Sequence, residues 1–193
     1  QKLSATYSQT HRWLENLSLG QVNDINSIIQ DGKSHELITV AEALQEKKIA
    51  DIADLISQER KIVKIILIAG PSSSGKTTFA QRLSTQLRVN GLKPVPLSLD
   101  NYFVNRDKTP RDASGQLDFD VLEALDLPFL NEQMDQLVKG EEVEIPVFDF
   151  VTGRRAPTGC PLQLSPDNIL VIEGIHALNP NLLTTINRNT CFK

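Results

Sequence analysis

Stretches of uninterrupted apolar residues alternate with stretches of helical spacing in the larger, C-terminal part of the chain. Residues 65–69 and 169–172 are apolar throughout, which is typical of parallel strands covered on both faces. Residues 94–99 predict a third strand. Apolar positions recur with helical spacing after residue 76 and over residues 119–139, so helices are predicted between the strands. This alternation predicts an α/β fold with a mainly parallel sheet flanked by helices.

Residues 1–60 differ in character and predict a helical N-terminal extension. Short apolar stripes lead into a longer helix, predicted over residues 40–57. Thr39 and Glu42 at its start fit a capping box, in which the hydroxyl and the carboxylate each bond a free backbone N–H. We therefore divide the chain into this extension and an α/β domain over residues 61–193.

Three further signals refine this organisation. Residues 101–116 have no apolar period and predict a long loop, which in a compact domain is usually functional or disordered. The alternation over residues 143–150 predicts an edge strand or hairpin arm, because Pro146 cannot donate to a central ladder, and residues 152–155 follow as its turn. Pro128 interrupts the second stretch of helical spacing, which predicts two helices there.

Composition narrows the classes of function. The 193 residues carry a formal net charge of −4 and a sequence pI near 5.4, which gives no general reason to bind nucleic acid or an anionic membrane. Cys160 and Cys191 have neither metal-ligand spacing nor a disulfide-dense pattern, so they predict reduced thiols in a cytoplasmic protein. No apolar stretch approaches the roughly 18 residues of a membrane span, and the first residues lack the apolar centre of a signal peptide. The chain does not begin with Met, which suggests a fragment or a processed product.

Residues 70–77 fit the pattern G-x-x-x-x-G-K-S/T between the first predicted strand and the following helix, which makes the fold one of the P-loop NTPase type. Gly70 and Gly75 permit close turns, so that backbone N–H groups and the positive end of the helix can hold the phosphates of a nucleotide. Lys76 would reach the β and γ phosphates, and the Thr77 hydroxyl would bind Mg²⁺. A Gly/Ser-rich turn that matches by accident is the alternative, and the strand and helix on either side disfavour it. The predicted nucleotide-binding residues are Gly70, Pro71, Ser72, Ser73, Ser74, Gly75, Lys76, Thr77 and Thr78.

Two carboxylates end predicted strands. Glu173 follows the strand at residues 169–172, where an acidic residue beside a phosphate-binding loop is well placed to hold Mg²⁺ through water or to polarise a nucleophile. The alternative is that Glu173 caps the next helix. Asp100 ends the strand at residues 94–99. Catalytic roles are therefore predicted for Lys76 and Glu173, and metal binding for Thr77 and Glu173.

The segments GPSSSGKTTFA, LSLDNYF, LDFDVLEALDL, EIPVFDF and VIEGIHALNP together resemble the uridine kinase and phosphoribulokinase family of P-loop kinases. Their order and spacing match across residues 63–180. The segment VAEALQEKKIADIADLI is similar to the stretch before the kinase in bacterial nucleoside kinases that carry a threonyl-tRNA-synthetase-like front end. This likeness implies that residues 1–60 are the tail of an accessory domain.

The resemblance implies roles for individual residues. Asp100 matches the catalytic base, which would accept a proton from a nucleoside 5′-hydroxyl that attacks the γ-phosphate of ATP. Phe148 stands where uridine kinases have a tyrosine, and Gly153 stands where they have a histidine that reads the pyrimidine; both departures remove polar readers of the base. The implied substrate-binding residues are Tyr102, Phe119, Asp120, Phe148 and Arg154.

The same resemblance implies a continuation beyond residue 193. In the family another strand and an arginine-bearing lid helix follow, so the kinase domain over residues 61–193 is expected to be truncated and one edge of its sheet to be open. A charge-stabilising arginine can contribute about 10³ to 10⁵ in rate to phosphoryl transfer.

These observations lead to one expected function and two alternatives. The expected function is ATP- and Mg²⁺-dependent phosphorylation of a small-molecule nucleoside, with uridine and cytidine as examples. The alternatives are a kinase for another small hydroxyl acceptor, such as a sugar phosphate or pantothenate, and a non-catalytic ATP-binding module. Neither nucleic acid nor membrane is an expected partner, and a homo-oligomer stays open.

Overall fold

The computed structural model describes the backbone of residues 2–193 and the side chains of residue 4 and residues 7–193. Within that range the helices are α1 (Lys2–Asn16), α2 (Val22–Gln30), α3 (Ser34–Gln58), α4 (Lys76–Val89) and α5 (Leu127–Val138). The strands are β1 (Ile65–Ile68), β2 (Lys93–Ser98), β3 (Val143–Ile145), β4 (Phe148–Asp149), β5 (Arg154–Arg155), β6 (Cys160–Leu162), β7 (Asn168–Glu173) and β8 (Cys191–Phe192). No helix within residues 2–193 combines the length and the apolar character needed to cross a membrane.

The chain divides into two compact units, Gln1–Lys48 and Ile49–Lys193. This boundary falls inside α3, earlier than the boundary predicted after residue 60, because the last turns of α3 belong to the packing of the second unit. Ile49, Ala53 and Ile56 are all buried there.

The first unit is helical, as predicted. Helix α2 begins with a capping arrangement in which the backbone N–H of Gln21 donates to Asp24 Oδ2 at 2.8 Å. The turn after α2 contains Gly32 at φ +72°, a conformation that favours glycine, and α3 starts two residues later. None of the residues of α2 is buried.

The predicted capping box at Thr39 is wrong. Because α3 begins at Ser34, Thr39 lies in its second turn, where the carbonyl four residues earlier is within reach of the hydroxyl. Thr39 Oγ1 donates to the carbonyl of His35 at 2.9 Å.

The second unit is built on a four-stranded sheet with the order β2-β7-β1-β8, and all of its strand pairs are parallel. Successive side chains of β1 enter opposite clusters: Ile65 and Leu67 belong to one, Ile66 and Ile68 to the other. Both faces are therefore covered, which explains why this strand reads as an uninterrupted apolar run. Fully burying each of these side chains contributes about 1.5–3 kcal/mol.

The two clusters are closed by helices from different parts of the chain. The end of α3 and the buried residues Ala80, Leu83 and Leu87 of α4 complete the cluster around Ile66. Helix α5 completes the other with Leu130, Met134 and Leu137. The predicted α/β fold with a parallel sheet flanked by helices is confirmed.

Pro128 begins a helix instead of separating two. Residues 119–126 are irregular except for a single 3-10 turn at Leu122–Ala124, and α5 then starts with Pro128 in its first turn. The Asp126 side chain accepts from the backbone N–H of Phe129 at 3.3 Å. Proline is tolerated here because the N–H that it lacks has no partner within the first turn of a helix.

The predicted hairpin arm is confirmed as two short strands on either side of Pro146. Strand β3 pairs antiparallel with β6, and β4 pairs antiparallel with β5 across a turn that contains Gly153. Of the predicted turn at residues 152–155, Thr152 and Gly153 lie in the turn, whereas Arg154 and Arg155 form the second strand of this hairpin.

The edge of the sheet beside β1 is covered over the first half of that strand, which differs in part from the expectation of an open edge. Cys191 and Phe192 form β8, which pairs parallel with Ile65 and Ile66. The fourth position of the sheet is therefore occupied within this chain, because residues 182–190 return the backbone to the amino end of β1, where Lys64 N–H donates to the carbonyl of Thr190 at 2.9 Å.

Thr39→Ala tests the corrected start of α3. We expect the free energy of unfolding to stay unchanged or to rise by up to about 0.7 kcal/mol, because alanine is the better helix former at an interior position. Loss of a true N-cap would instead cost about 1 kcal/mol. Urea unfolding followed by far-UV circular dichroism distinguishes the two. Thr85→Ala is the matched control, since Thr85 Oγ1 makes the same bond to the carbonyl of Gln81 inside α4.

Candidate active site

The glycine-bounded loop joins the end of β1 to the start of α4. Gly75 is the N-cap of α4 at φ +84°, and Ser73 also has a positive φ of 58°. A Cβ built on Gly70 would lie 2.6 Å from Ser74 Oγ, so the loop closes on itself at this glycine. These turns place the backbone N–H groups of the loop at the positive end of a helix of 14 residues, an arrangement suited to phosphate groups.

The predicted nucleotide-binding residues all lie on this loop and on the first turn of α4. Ser72, Ser73, Ser74 and Thr78 are exposed there. The Lys76 ammonium donates to the carbonyl of Pro71 at 2.8 Å and is thus folded over the loop. A cation in this position can neutralise phosphate oxygens.

Thr77 and Glu173, both predicted to bind metal, are brought together. Thr77 Oγ1 donates to Glu173 Oε1 at 3.2 Å, although the two residues are 96 positions apart. Glu173 pairs in register with Ile68 of β1 on one side and with Ser98 of β2 on the other. The carboxyl ends of three adjacent strands therefore carry the loop, Glu173 and the segment leading to Asp100.

Asp100 follows β2 on a single 3-10 turn, Leu99–Tyr102, and its backbone N–H donates to Ser98 Oγ at 3.3 Å. Partial burial and the nearby Glu173 carboxylate raise the pKa of Asp100, while the Lys76 ammonium lowers it. The other two predicted catalytic residues, Glu173 and Lys76, thus both act electrostatically on Asp100. A carboxylate with a raised pKa is suited to accept a proton.

A close contact fixes the spacing between the two carboxylates. A Cβ built on Gly174 would lie 2.7 Å from the Cβ of Leu99, so only glycine lets the ends of β7 and β2 approach this far. Leu99 precedes Asp100, and Gly174 follows Glu173. Their contact is therefore part of what sets the distance between the carboxyl groups.

The oxygen ligands here fit Mg²⁺ bound jointly by protein and nucleotide. Mg²⁺ prefers hard oxygen ligands and is usually held by one or two protein groups together with waters and phosphates. Thr77 and Glu173 supply such oxygens. Among residues 2–193, no group of three or more His, Cys, Asp and Glu side chains is arranged to hold a metal ion without ligands from a nucleotide or water.

The residues predicted to bind the acceptor differ in their exposure to solvent. Asp120 and Arg154 are exposed, and Phe119 is half-buried. Tyr102 is fully buried; its hydroxyl donates to Gln133 Oε1 at 2.8 Å, and burial raises the pKa of the phenol. Tyr102 is therefore a packing residue, and we do not retain its assignment to the substrate.

Phe148 belongs to an aromatic cluster that the sequence did not reveal. It is 5% exposed and packs edge-on against Phe103 and Phe150, with ring centroids 5.7 Å and 5.1 Å away. Phe119 joins through Phe103 at 5.7 Å. Phe150 is 57% exposed, so it presents this cluster to solvent.

Arg155, which was not predicted to have a role, supports the turn that bears Asp100. Its Nη1 lies 3.0 Å from Asp126 Oδ2, and its Nη2 donates to the carbonyl of Tyr102 at 3.2 Å. Its guanidinium also lies over the Phe129 ring, 5.0 Å from the centroid. The sequence contained no signal that separated this half-buried arginine from the exposed Arg154.

Gly153 has a steric reason to be glycine. It is buried at φ +68°, and a Cβ built there would lie 2.5 Å from Arg106 Nε. The backbone N–H of Arg106 donates to the carbonyl of Gly153 at 2.8 Å. The long loop and the β4–β5 hairpin are thus held together at this point.

Comparisons with known proteins show which sequences and folds this chain is similar to. The profile of the Phosphoribulokinase / Uridine kinase family matches residues 65–186. A uridine kinase of Lactobacillus johnsonii is 35% identical over 114 residues, which are 59% of this chain and 53% of that protein. Inorganic pyrophosphatase TTM2 of Arabidopsis thaliana is 29% identical over 158 residues, which are 79% of this chain and 22% of that protein.

A solved structure, described as a possible uridine kinase from Bacillus stearothermophilus, superimposes with a TM-score of 0.53 at 26% identity. The match covers 70% of this chain and 76% of that one. The chain spans about half of the length of the Lactobacillus protein and about a fifth of the Arabidopsis protein.

Asp100→Asn is expected to raise the free energy of unfolding at pH 7. Because the folded-state pKa is raised from 3.8, the stability that Asp100 contributes is fully present below pH 3.8 and is lost as the pH rises through the folded-state value. Asparagine stays neutral and avoids that loss, so the advantage of the variant should shrink as the pH is lowered. Urea unfolding at a series of pH values from 7 downwards measures it.

Asp149→Asn is the control, for which we expect the opposite change in the free energy of unfolding. Hydrogen bonds from Thr152 and Val151 lower the pKa of Asp149, so its contribution to stability is present above pH 3.8 and is lost as the pH falls through the folded-state pKa. This variant should be less stable than the parent at pH 7. Destabilisation by both substitutions at pH 7 would contradict the account of Asp100.

Gly153→Ala should destabilise the protein by about 2–3 kcal/mol, because alanine is strained at positive φ and its Cβ meets the Arg106 side chain. In the Arg106→Ala background the Nε and Cζ contacts are gone, so the cost should fall by about 1 kcal/mol. A double-mutant cycle on urea unfolding gives the coupling. Additive effects would show that the guanidinium does not lie on Gly153.

Proposed function

The chain belongs to the phosphoribulokinase/uridine kinase family, and on that premise we propose that it transfers the γ-phosphoryl group of ATP to the 5′-hydroxyl of a nucleoside. The observation that carries the proposal is the meeting of three groups at one edge of the sheet: the phosphate-binding loop, the Thr77–Glu173 pair and Asp100. A phosphate donor, a divalent cation and a base are what phosphoryl transfer needs from a protein.

The nucleotide phosphates would be held by residues 70–78. Backbone N–H groups of the loop and the N-terminus of α4 bind phosphate oxygens, and Lys76 neutralises charge on the β and γ groups. Thr77 and Glu173 would hold Mg²⁺, directly or through water; when bound, the cation supplies charge neutralisation to the phosphates. Positioning and electrostatics provide most of the catalysis in this class of reaction.

Asp100 would act as the general base. Its carboxylate accepts the proton of the acceptor hydroxyl, while the hydroxyl oxygen forms a bond to the γ-phosphorus and the bond from that phosphorus to the β–γ bridging oxygen breaks, which releases ADP. Partial burial and Glu173 bring the pKa of Asp100 upward and strengthen it as a base, and Lys76 favours its ionised form.

The acceptor would lie between Asp100 and the aromatic cluster. Phe148 is tied to the catalytic segment, because its backbone N–H donates to Asn101 Oδ1 at 3.4 Å. Phe119 and Phe150 offer aromatic surface for a base, and the exposed Asp120 carboxylate can accept hydrogen bonds from ribose hydroxyls. The relatives named uridine kinases support a nucleoside as the acceptor.

Asp100→Asn tests the assignment of the base. We expect kcat to fall by about 10²–10⁴-fold, the usual contribution of a general base, with the affinity for MgATP unchanged. In the parent protein kcat should fall on the acid side, at a pH above 3.8, as Asp100 is protonated. Steady-state kinetics with uridine, cytidine, a sugar phosphate and pantothenate as acceptors, with equilibrium binding of ATP, measure both quantities.

Asp107→Asn is the matched control, since Asp107 is an exposed carboxylate on the same loop. It should retain parental kinetics. A parallel fall in ATP affinity and turnover for Asp100→Asn would assign Asp100 to nucleotide binding instead. Phosphorylation of the sugar phosphate or pantothenate alone would replace the nucleoside as acceptor.

A further inference from the structure

Arg106 is held in one place by three contacts with the β4–β5 hairpin. Its backbone N–H donates to the carbonyl of Gly153 at 2.8 Å, and its Nη2 donates to the carbonyl of Phe150 at 2.8 Å. Its side chain also lies against Gly153, where a Cβ would come within 2.7 Å of Cζ. The absence of a side chain at this buried position is what makes room for the guanidinium.

The guanidinium keeps donors free for a ligand. Arginine has five N–H donors in a planar fork and no acceptor. The side chain is exposed. In the described part of the chain, Nη2 has a hydrogen-bond partner and the other guanidinium nitrogens have none. The nearby Asp149 carboxylate accepts from Val151 N–H and from the N–H and hydroxyl of Thr152. The charge of Arg106 lowers the pKa of Asp149, but within the described residues the two side chains form no direct hydrogen bond.

A group of aromatic side chains lies beside these donors. Phe150, whose carbonyl binds Arg106, is 57% exposed and packs edge-on against Phe148 at 5.1 Å and against Phe103 at 6.2 Å. A wall of aromatic rings with a donor-only group at its rim suits a flat ring that carries a hydrogen-bond acceptor on its outer edge.

Arg106 and Asp100 lie on one segment of the chain, with Phe103 between them. Asn101 binds the backbone of Phe148, so the aromatic cluster is anchored next to Asp100, and Arg106 contacts the same cluster at the exposed Phe150. An acceptor that lies along this cluster with its reacting hydroxyl at Asp100 would direct its far end toward Arg106.

We infer that Arg106 is a specificity-determining residue, which donates to the carbonyl oxygen on C4 of a pyrimidine nucleoside and so selects uridine over cytidine. This inference rests on the proposed function. C4 is the ring atom opposite the glycosidic nitrogen, so its substituent is the far end of the acceptor. Uracil carries an acceptor oxygen there and cytosine an amino group that donates. A guanidinium cannot accept from that amino group, so donors would face donors in the cytidine complex.

The expected discrimination is substantial. Sites that hydrogen-bond a substrate group reject the analogue that leaves their polar groups unpaired, and one such contact is worth about 10-fold or more in kcat/KM. We expect the difference mainly in KM, because a contact that is equally strong in the ground state and in the transition state changes KM and leaves kcat unaltered.

The test compares kcat/KM for uridine and cytidine in the parent chain, in Arg106→Gln and in Lys108→Gln. An amide has both a donor and an acceptor, so Arg106→Gln should bring the ratio of the two values close to one, with KM for MgATP unchanged. Lys108→Gln removes one positive charge from the same exposed loop and should keep the parental ratio. Arg106→Lys keeps the charge but not the planar fork, so its ratio should fall between that of the parent chain and that of Arg106→Gln.

Each result has a defined meaning. A parent chain that phosphorylates both nucleosides equally, or prefers cytidine, overturns the inference and leaves the proposed function standing. So does an Arg106→Gln variant with an unchanged ratio. If Arg106→Gln fails to fold, as judged by thermal unfolding, the ratio in Arg106→Lys decides in the same way. Phosphorylation of neither nucleoside by the parent overturns the proposed function, and with it this role for Arg106.

Discussion

The alignment of three parallel strands at their carboxyl ends is the constraint on which the site depends. Glu173 on β7 lies in register with Ile68 on β1 and Ser98 on β2, so the segments that leave these strands must start side by side. The hydrogen bond between Thr77 and Glu173 follows from that register. The register of the sheet is fixed because side chains of β1 pack alternately into two separate buried clusters, one on each face. A shift of one residue would move each side chain to the opposite face.

The same alignment places charges where they cost stability. Asp100 is partly buried near a second carboxylate, and both effects disfavour its ionised form. The Lys76 ammonium offsets this only in part. Such an arrangement has no structural advantage over a neutral side chain, and carboxylates with a pKa perturbed in this way are typical of functional sites. Because Gly174 has no side chain, Leu99 can pack closely against it, and this lets the segments that carry the two carboxylates approach each other.

A second set of contacts joins the long loop to the β4–β5 hairpin. Arg155 binds Asp126 and the carbonyl of Tyr102, while Arg106 lies on Gly153 and binds the carbonyl of Phe150. Two arginines from different segments thus hold these elements together: Arg155 is half-buried and Arg106 is exposed. Within the described residues the loop does not pair with either strand of the hairpin, so these contacts and the hydrogen bond from Arg106 N–H to the Gly153 carbonyl join the two.

Local patterns in the sequence determined the phosphate-binding loop, the buried strands and the positions of Asp100 and Glu173. Each of these depends on residues close together in the chain, such as glycines at fixed spacing or an apolar run that ends in a carboxylate. Thr39 and Pro128 show where local patterns fail, because the structural role of each residue depends on where the helix starts. Tertiary packing alone decided that Tyr102 is buried, that Arg155 and not Arg154 is a supporting residue, and that Arg106 lies on Gly153. These outcomes depend on contacts between residues 29 to 53 positions apart, whose geometry no local period encodes.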